Sequence, residues 1–345
     1  MTANADILLE AQGALGLITL NRPKALNALT LDMIHAMTAR LGEWAGDADI
    51  KAVLIRGAGE KAFCAGGDVL ALIRPDNEAF IEGFFRDEYR LNRMIFRYPK
   101  PYIALIDGIV MGGGVGVSEH GSHRIATERT LYAMPETGIG MFPDVGGAYF
   151  LPRLPGELGL YLGLTGARLK AADCLYAKVA DSFLPLDRHG DLLDGLAKGR
   201  APDDLLAELA GDAGEAPLAV RRDAIDRCFS AASVEEIVGR LEGEGGDWAE
   251  KTLAALARMS PTALKIAFRQ IREGGSREFE GCMAMEYRLS QRVVPGHDFR
   301  EGVRALLVDK DMSPRWEPSA LAGVTQEAID GVFAPLPGGD LTFPD

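Results

Sequence analysis

Along the first 185 residues, short apolar or β-branched runs alternate with segments whose apolar residues recur every three to four positions, the signature of an α/β fold. Ile7 to Ala11 and Leu15 to Leu20 read as an antiparallel strand pair joined around Gly13. After the loop Asn21 to Ala28, Thr30 is placed to cap a helix in which Ile34, Met37, Leu41 and Trp44 fall at helical spacing. Ala52 to Arg56 and Tyr102 to Asp107 predict buried strands, with a helix over Glu78 to Arg97 carrying mixed charges on one face between them. The glycine run Gly108 to Gly116 leads into a short helix near Val115 to His120, and Arg124 to Thr127 and Leu131 to Ala133 predict short strands. The succession suggests stacked β-β-α turns, although no fixed sequence period accompanies it.

From about Leu186 the strand pattern stops. Asp203 to Ala210, Ser233 to Leu241, Trp248 to Met259, Pro261 to Glu273, Phe279 to Val294 and Asp298 to Leu307 are helical candidates. Gly-rich and acidic joints such as Gly211 to Ala216 and Glu242 to Asp247 separate them. The expected organisation is an α/β core over 1–185, a helical region over 186–318 and a loosely attached Pro- and Gly-rich tail over 319–345.

Charge narrows the partners. Among 345 residues, 37 Lys and Arg stand against 50 Asp and Glu, a net charge of −13 that opposes nonspecific attraction to nucleic acid or anionic lipid. Any anionic ligand must then be held by local basic groups or backbone amides. The longest apolar stretch, Tyr102 to Val117, is broken by Asp107 and five glycines, so no membrane span is expected and the chain should be soluble. The first twenty residues show neither a secretory leader nor a transit peptide, which predicts a cytoplasmic location. Cys64, Cys174, Cys228 and Cys282 lack CxxC spacing and nearby paired His, so reduced thiols are expected, with neither a disulfide framework nor a structural zinc site.

Three segments gather glycine where a strand should hand over to a helix. In KAFCAGGD, Lys61 to Asp68, adjacent glycines let a ligand approach the backbone closely; an ordinary turn with Asp68 as helix cap reads equally well. In DGIVMGGGVGVSEHG, Asp107 to Gly121, the amides of Gly112 and Gly113 are placed to meet one ligand oxygen. Two donors from separate segments are what a developing oxyanion needs, each worth ~3 kcal/mol in the transition state. The third segment, Ala133 to Leu154, sets Glu136 and Asp144 in a loop punctuated by Gly and Pro. Both acids could equally be solvated or cap helices, but Met134, Ile139, Met141 and Phe142 offer an apolar setting that can raise a carboxyl and make it a useful base.

Competing motifs fail on details. Gly57 to Ala62 matches GxGxxA, but Phe63 to Gly67 leaves no room for the helix that a dinucleotide site requires. Ser118 with His120 and His123 lacks the second glycine of GxSxG. Cys64 reads as a buried small hydrophobe rather than a nucleophile.

Read together, NRPKALNAL, KAFCAGGD, GIVMGGGVG, AMPETGIGMFPDVGG, SPTALK, MEYRLSQ and GHDFREGVRALLVDKDMSPRW resemble the enoyl-CoA hydratase/isomerase (crotonase) superfamily, and within it the 3-hydroxyisobutyryl-CoA hydrolase branch. The likeness runs from about Ile7 to Pro318, and the last motif is the most diagnostic. It implies a ClpP/crotonase-like spiral of β-β-α units with a helical C-terminal region, and coenzyme A held by backbone along Ala65, Gly66, Gly67 and Asp68. It also implies an oxyanion hole from the amides of Gly67 and Gly113, beside Gly112, with Glu136 as the catalytic glutamate and Asp144 as the acid peculiar to the hydrolase branch. Glu88, within FFRDEYRLN, falls on a substrate-contacting glutamate.

The implied reaction is hydrolysis of an acyl-CoA thioester, foremost 3-hydroxyisobutyryl-CoA as in valine breakdown, with no metal or redox cofactor and coenzyme A entering as part of the substrate. A homo-oligomer is left open. The hydratases of the superfamily carry a second catalytic glutamate where this chain has Gly116, which argues against water addition to a double bond. An enoyl- or dienoyl-CoA isomerase of the same fold and a non-enzymatic scaffold remain as alternatives; thiol release separates the first, and failure to bind any acyl-CoA would favour the second.

Overall fold

The computed structural model of the chain describes residues 6–74 and 77–343. Its strands are β1 (Ile7–Gln12), β2 (Leu15–Leu20), β3 (Ala52–Gly57), β4 (Ala62–Cys64), β5 (Tyr102–Ile106), β6 (Ile109–Met111), β7 (His123–Ala126), β8 (Leu131–Ala133) and β9 (Ser182–Phe183). β1 and β2 form the expected antiparallel hairpin. From β2 onward the larger sheet is parallel, in the order β1-β2-β3-β5-β7-β9, while β4-β6-β8 form a second sheet. Each consecutive pair β3/β4, β5/β6 and β7/β8 thus gives one strand to each sheet, which is the β-β-α spiral that the motifs imply. β4, β6 and β9, of two or three residues each, are too short to announce themselves by a period, whereas the equally short β8 coincides with the strand expected at Leu131 to Ala133.

The chain gathers into two compact units: Met1–Asp68, Arg90–Tyr132 and Leu169–Ala219 in one, Val69–Tyr89, Ala133–Arg168 and Val220–Asp345 in the other. This division differs from expected boundaries at 185 and 318, because grouping by element type ignores which apolar faces meet. In the first unit, Leu15, Leu17, Leu54, Ile103, Leu105 and Ile125 share a core with leucines of the helices His189–Ala197 and Pro202–Leu209. On the other face of β2 a side chain at Gly16 would stand 2.7 Å from the Trp44 indole, so the helix Leu31–Gly46 lies close against it, its first turn capped by the Thr30 hydroxyl. Covering both faces explains the unbroken apolar runs of these strands.

In the second unit the helices Pro261–Gly274 and Phe279–Val293 are the scaffold. A Cβ at Gly274 would meet the Ala148 carbonyl oxygen at 1.9 Å, so the first helix presses directly on the short helix Gly147–Phe150 that follows Asp144. Leu158–Thr165, seven of whose eight residues are buried, has no polar face and hence no amphipathic signal to read. The expected joint at 242–247 shrinks to Gly245, which separates the helices Val234–Glu244 and Gly246–Leu256. The tail is also not loose. Its helix Gln326–Phe333 buries Ile329 and Phe333, and Asp330 and Asp340 pair with Arg269 and Arg288. Pro and Gly content hid these anchors.

Glu119, in the first unit, is a buried acid outside the expected chemistry. Burial raises its carboxyl from 4.5 to about 8, with Arg124 opposing and Asp181 adding to the shift. The native state therefore holds a proton that the unfolded chain releases, and unfolding becomes easier as pH climbs from about 4.5 to about 8. Glu119→Gln is expected to melt with the wild type near pH 4.5 and several degrees above it at pH 9. A pH series of melting curves checks this, and an offset independent of pH would rule the linkage out.

Candidate active site

The first unit supplies amides. Asn27, held at φ +57, donates to the carbonyls of Ala58 and Ala62 at 3.0 and 2.8 Å and accepts the Arg22 N–H at 2.9 Å, tying the loop 21–29 to the segment around β4. Next to it the Leu29 N–H donates to the Gly66 carbonyl and the Asp68 N–H donates to the Leu29 carbonyl, both at 2.9 Å. Leu29 thus bonds the residues on either side of Gly67 in a parallel bridge, which turns the Gly67 N–H away from it.

β4 pairs with β6, after which Gly112, at φ +49 and ψ −126, turns the chain into the short helix Gly113–Gly116. That conformation is open only to glycine. A Cβ at Gly114 would stand 2.2 Å from the Cys64 carbonyl oxygen, so the turn sits directly on β4. The Gly113 N–H opens this helix and has no carbonyl four residues back. Among the described residues, neither it nor the Gly67 N–H has a protein acceptor. The other residues of the loop are more committed: the Ala65 N–H donates to Leu26 at 3.0 Å, and the Asp68 carboxylate pairs with Arg22 at 3.3 Å. The N–H groups of Ala65 and Asp68 and the carbonyl of Gly66 are thus already engaged within the protein.

The second unit supplies acids. Glu136 opens the 3-10 turn Glu136–Ile139 behind Pro135, and its carbonyl accepts the Met141 N–H at 3.0 Å, so the loop is compact as its punctuation suggested. The turn is fixed from outside by two distant motifs. Ser260 donates its N–H to the Thr137 carbonyl and its hydroxyl to Asp298, while also capping the helix Pro261–Gly274. A Cβ at Gly302 would lie 2.4 Å from the Ile139 carbonyl oxygen, so the helix His297–Val303 presses on the same turn. The SPTALK and GHDFREGV motifs therefore frame Glu136.

Asp144 lies on the next turn, buried, with the Tyr89 hydroxyl donating to its Oδ2 at 3.0 Å. Burial raises its carboxyl to about 7, against the lowering effect of the Tyr89 bond. Glu88 precedes Tyr89 on the helix Glu78–Phe96, where Ile81, Phe84, Glu88, Asn92 and Ile95 form a buried stripe at helical spacing. Burial first, and Asp144 second, hold Glu88 well above the usual carboxylate range. Its Oε1 has no hydrogen-bond partner among the described residues. A neutral carboxylic acid beside one that titrates near neutrality can donate to, or accept from, a substrate hydroxyl.

Each unit by itself brings together what the sequence placed in it: Gly67 with the glycine run in one, Glu88 with Asp144 in the other. Tyr89, Gln270 and Glu286 were missed; Gln270 donates to the Pro143 carbonyl at 2.6 Å and Glu286 accepts the N–H groups of Gly146 and Ala148. Tyr89 had a signal, a polar-tipped residue on an apolar stripe. Ser118 bonds back to the carbonyls of Gly114 and Val115, so no triad forms, and Cys64 is fully buried. Among the described residues no group of three metal-binding side chains occurs, and no helix is long and apolar enough to cross a membrane.

A profile of the enoyl-CoA hydratase/isomerase family matches residues 15–333. The mitochondrial 3-hydroxyisobutyryl-CoA hydrolase of Danio rerio is 51% identical over 98% of this chain and 92% of its own length. The Homo sapiens protein of the same name is 46% identical over 99% of this chain and 92% of its own. Two solved structures share the fold at 42% identity: a carnitinyl-CoA dehydratase from Mycobacterium thermoresistibile, TM-score 0.93 over 99% of both chains, and an enoyl-CoA hydratase from Rhodobacter sphaeroides, TM-score 0.92 over 98% of this chain and all of that one. The hydrolase names also overturn the cytoplasmic expectation, since these relatives are mitochondrial. That expectation rested on the residue types of one terminus, a weaker guide to compartment than identity over nearly the whole chain.

Proposed function

The chain belongs to the enoyl-CoA hydratase/isomerase family, and from that premise we propose that it hydrolyses the thioester of a small 3-hydroxyacyl-CoA, foremost 3-hydroxyisobutyryl-CoA, to the hydroxy acid and coenzyme A. The observation that carries this reading is identity of 46 to 51% over nearly the whole chain to proteins named 3-hydroxyisobutyryl-CoA hydrolase. The solved structures described as hydratase and dehydratase are less similar in sequence, and Gly116 leaves this chain without the second glutamate that hydration uses.

In this reading the N–H groups of Gly67 and Gly113 donate to the thioester oxygen as negative charge develops there. Glu136 either takes a proton from water as its oxygen attacks the carbonyl carbon, or attacks that carbon itself to form an anhydride that water then opens. In both routes the C–S bond breaks, and the thiolate leaves and is protonated to free coenzyme A. Asp144, with Glu88 beside it, reads the 3-hydroxyl. The mechanism calls on no metal or redox group.

Thiol release across a small acyl-CoA panel tests the function, with 3-hydroxyisobutyryl-CoA expected to exceed isobutyryl-CoA. Asp144→Gly should reduce turnover of the hydroxylated substrate far more than that of the other, because a buried acid left unpaired is what rejects the chain without a hydroxyl. Equal losses on both substrates would take the hydroxyl away from Asp144.

A further inference from the structure

The turn that carries Asp144 is an improbable one. Val145 sits at φ +50, a region that a β-branched residue rarely occupies, and Gly146 follows at φ +93. Such a conformation persists only where its surroundings over-determine it. The turn's own bond, from the Gly147 N–H to the Asp144 carbonyl at 2.9 Å, does not suffice to single it out. Two side chains from the C-terminal scaffold complete it. Glu286, fully buried on the helix Phe279–Val293, accepts the Gly146 N–H on Oε2 and the Ala148 N–H on Oε1, each at 2.7 Å. Gln270 donates to the Pro143 carbonyl at 2.6 Å and reaches Glu286 at 3.3 Å. Asp144 is thereby gripped on both sides by groups that do not touch it, while its own carboxyl is left to Tyr89.

We propose that Glu286 is a positioning residue for hydroxyl recognition: by accepting the Gly146 and Ala148 amides with both oxygens, it holds the Val145 turn in the one shape that aims Asp144 at the 3-hydroxyl of the acyl chain. The inference deepens the hydrolase reading and rests on it. Glu286→Gln is the sharpest variant, since it keeps volume and one acceptor oxygen but turns an NH2 group toward the second amide; Glu286→Leu removes both acceptors.

Two measurements decide. Hydrogen exchange without substrate should show the Gly146 and Ala148 amides opening about tenfold faster in Glu286→Gln, and faster still in Glu286→Leu. The kcat/KM preference for 3-hydroxyisobutyryl-CoA over isobutyryl-CoA should fall at least about tenfold in Glu286→Gln, yet change less than about twofold when that substitution is added to Asp144→Gly, because the two act as a unit. Unchanged exchange would overturn the clamp. Faster exchange with wild-type preference, or losses that simply add to those of Asp144→Gly, would leave Glu286 a merely structural residue and overturn the positioning role. Should the wild type release no thiol from any 3-hydroxyacyl-CoA, the hydrolase reading falls and takes the kinetic role of Glu286 with it. The exchange measurement, made without substrate, tells that failure apart from a failure of the clamp.

Discussion

Glu136→Gln is expected to cut thiol release by ~10² to 10⁴ while leaving acyl-CoA affinity within a few-fold, the range of a lost acid/base or nucleophilic group. The structure makes this a clean substitution. The turn's shape comes from backbone and neighbours: the Glu136 carbonyl takes the Met141 N–H, and Thr137 and Ile139 are held by Ser260 and by the helix His297–Val303. Neutralising the side chain therefore removes chemistry without removing the scaffold. Initial rates with a colorimetric thiol trap, beside calorimetric binding of a non-hydrolysable thioether analogue, separate the two quantities. Wild-type rates in the variant would remove Glu136 from the mechanism.

Hydrolysis of 3-hydroxyisobutyryl-CoA is expected to exceed hydration of crotonyl-CoA by at least about 10²-fold, the size of one acid/base contribution. Adding water to an enoyl thioester puts a hydroxyl on C3 and a proton on C2, and the hydratases of the family hold that water between two glutamates. Here the second position is Gly116, a buried glycine whose carbonyl accepts the Asn92 side chain at 3.1 Å. The next acid along the chain, Glu119, interacts with Arg124 and Asp181, and Asp144 enters from the Glu136 loop rather than from the helix after the glycine run. Paired rates, thiol appearance against loss of enoyl absorbance, settle the order. Hydration as fast as hydrolysis would return the chain to a generic enzyme of this fold.

Much of the architecture was legible because it rests on local chemistry. The hairpin turn at Gly13, the Thr30 cap and the long apolar strands each announce themselves within a few residues. Family motifs then carried Gly67, Gly113, Glu136 and Asp144 as candidates. What stayed hidden depends on the far end of the chain. Glu286 has the composition of any helix acid, and nothing in MEYRLSQ says that its oxygens accept amides 138 and 140 residues earlier. The units likewise follow faces that meet rather than runs of one element type, and Leu158–Thr165 is silent because it has no polar side to set the period. Glu88 is the instructive middle case: the family motif carried it as a candidate, while its burial, with that of Asn92, on an otherwise apolar helical stripe is seen only in the fold.

The framing of the Glu136 turn by Ser260, Asp298 and Gly302 also has a bearing on the order in which the protein matures. A ribosome delivers the chain from its N-terminus, so Glu88, Glu136 and Asp144 emerge long before the residues that shape their loops. Contacts of such sequence separation form late, after the closure entropy of the intervening chain has been met. A nascent chain that stops short of Ser260 thus holds every proposed reactive side chain but lacks the Ser260, Asp298 and Gly302 contacts on the Glu136 turn, which leaves catalytic competence among the last properties the protein acquires.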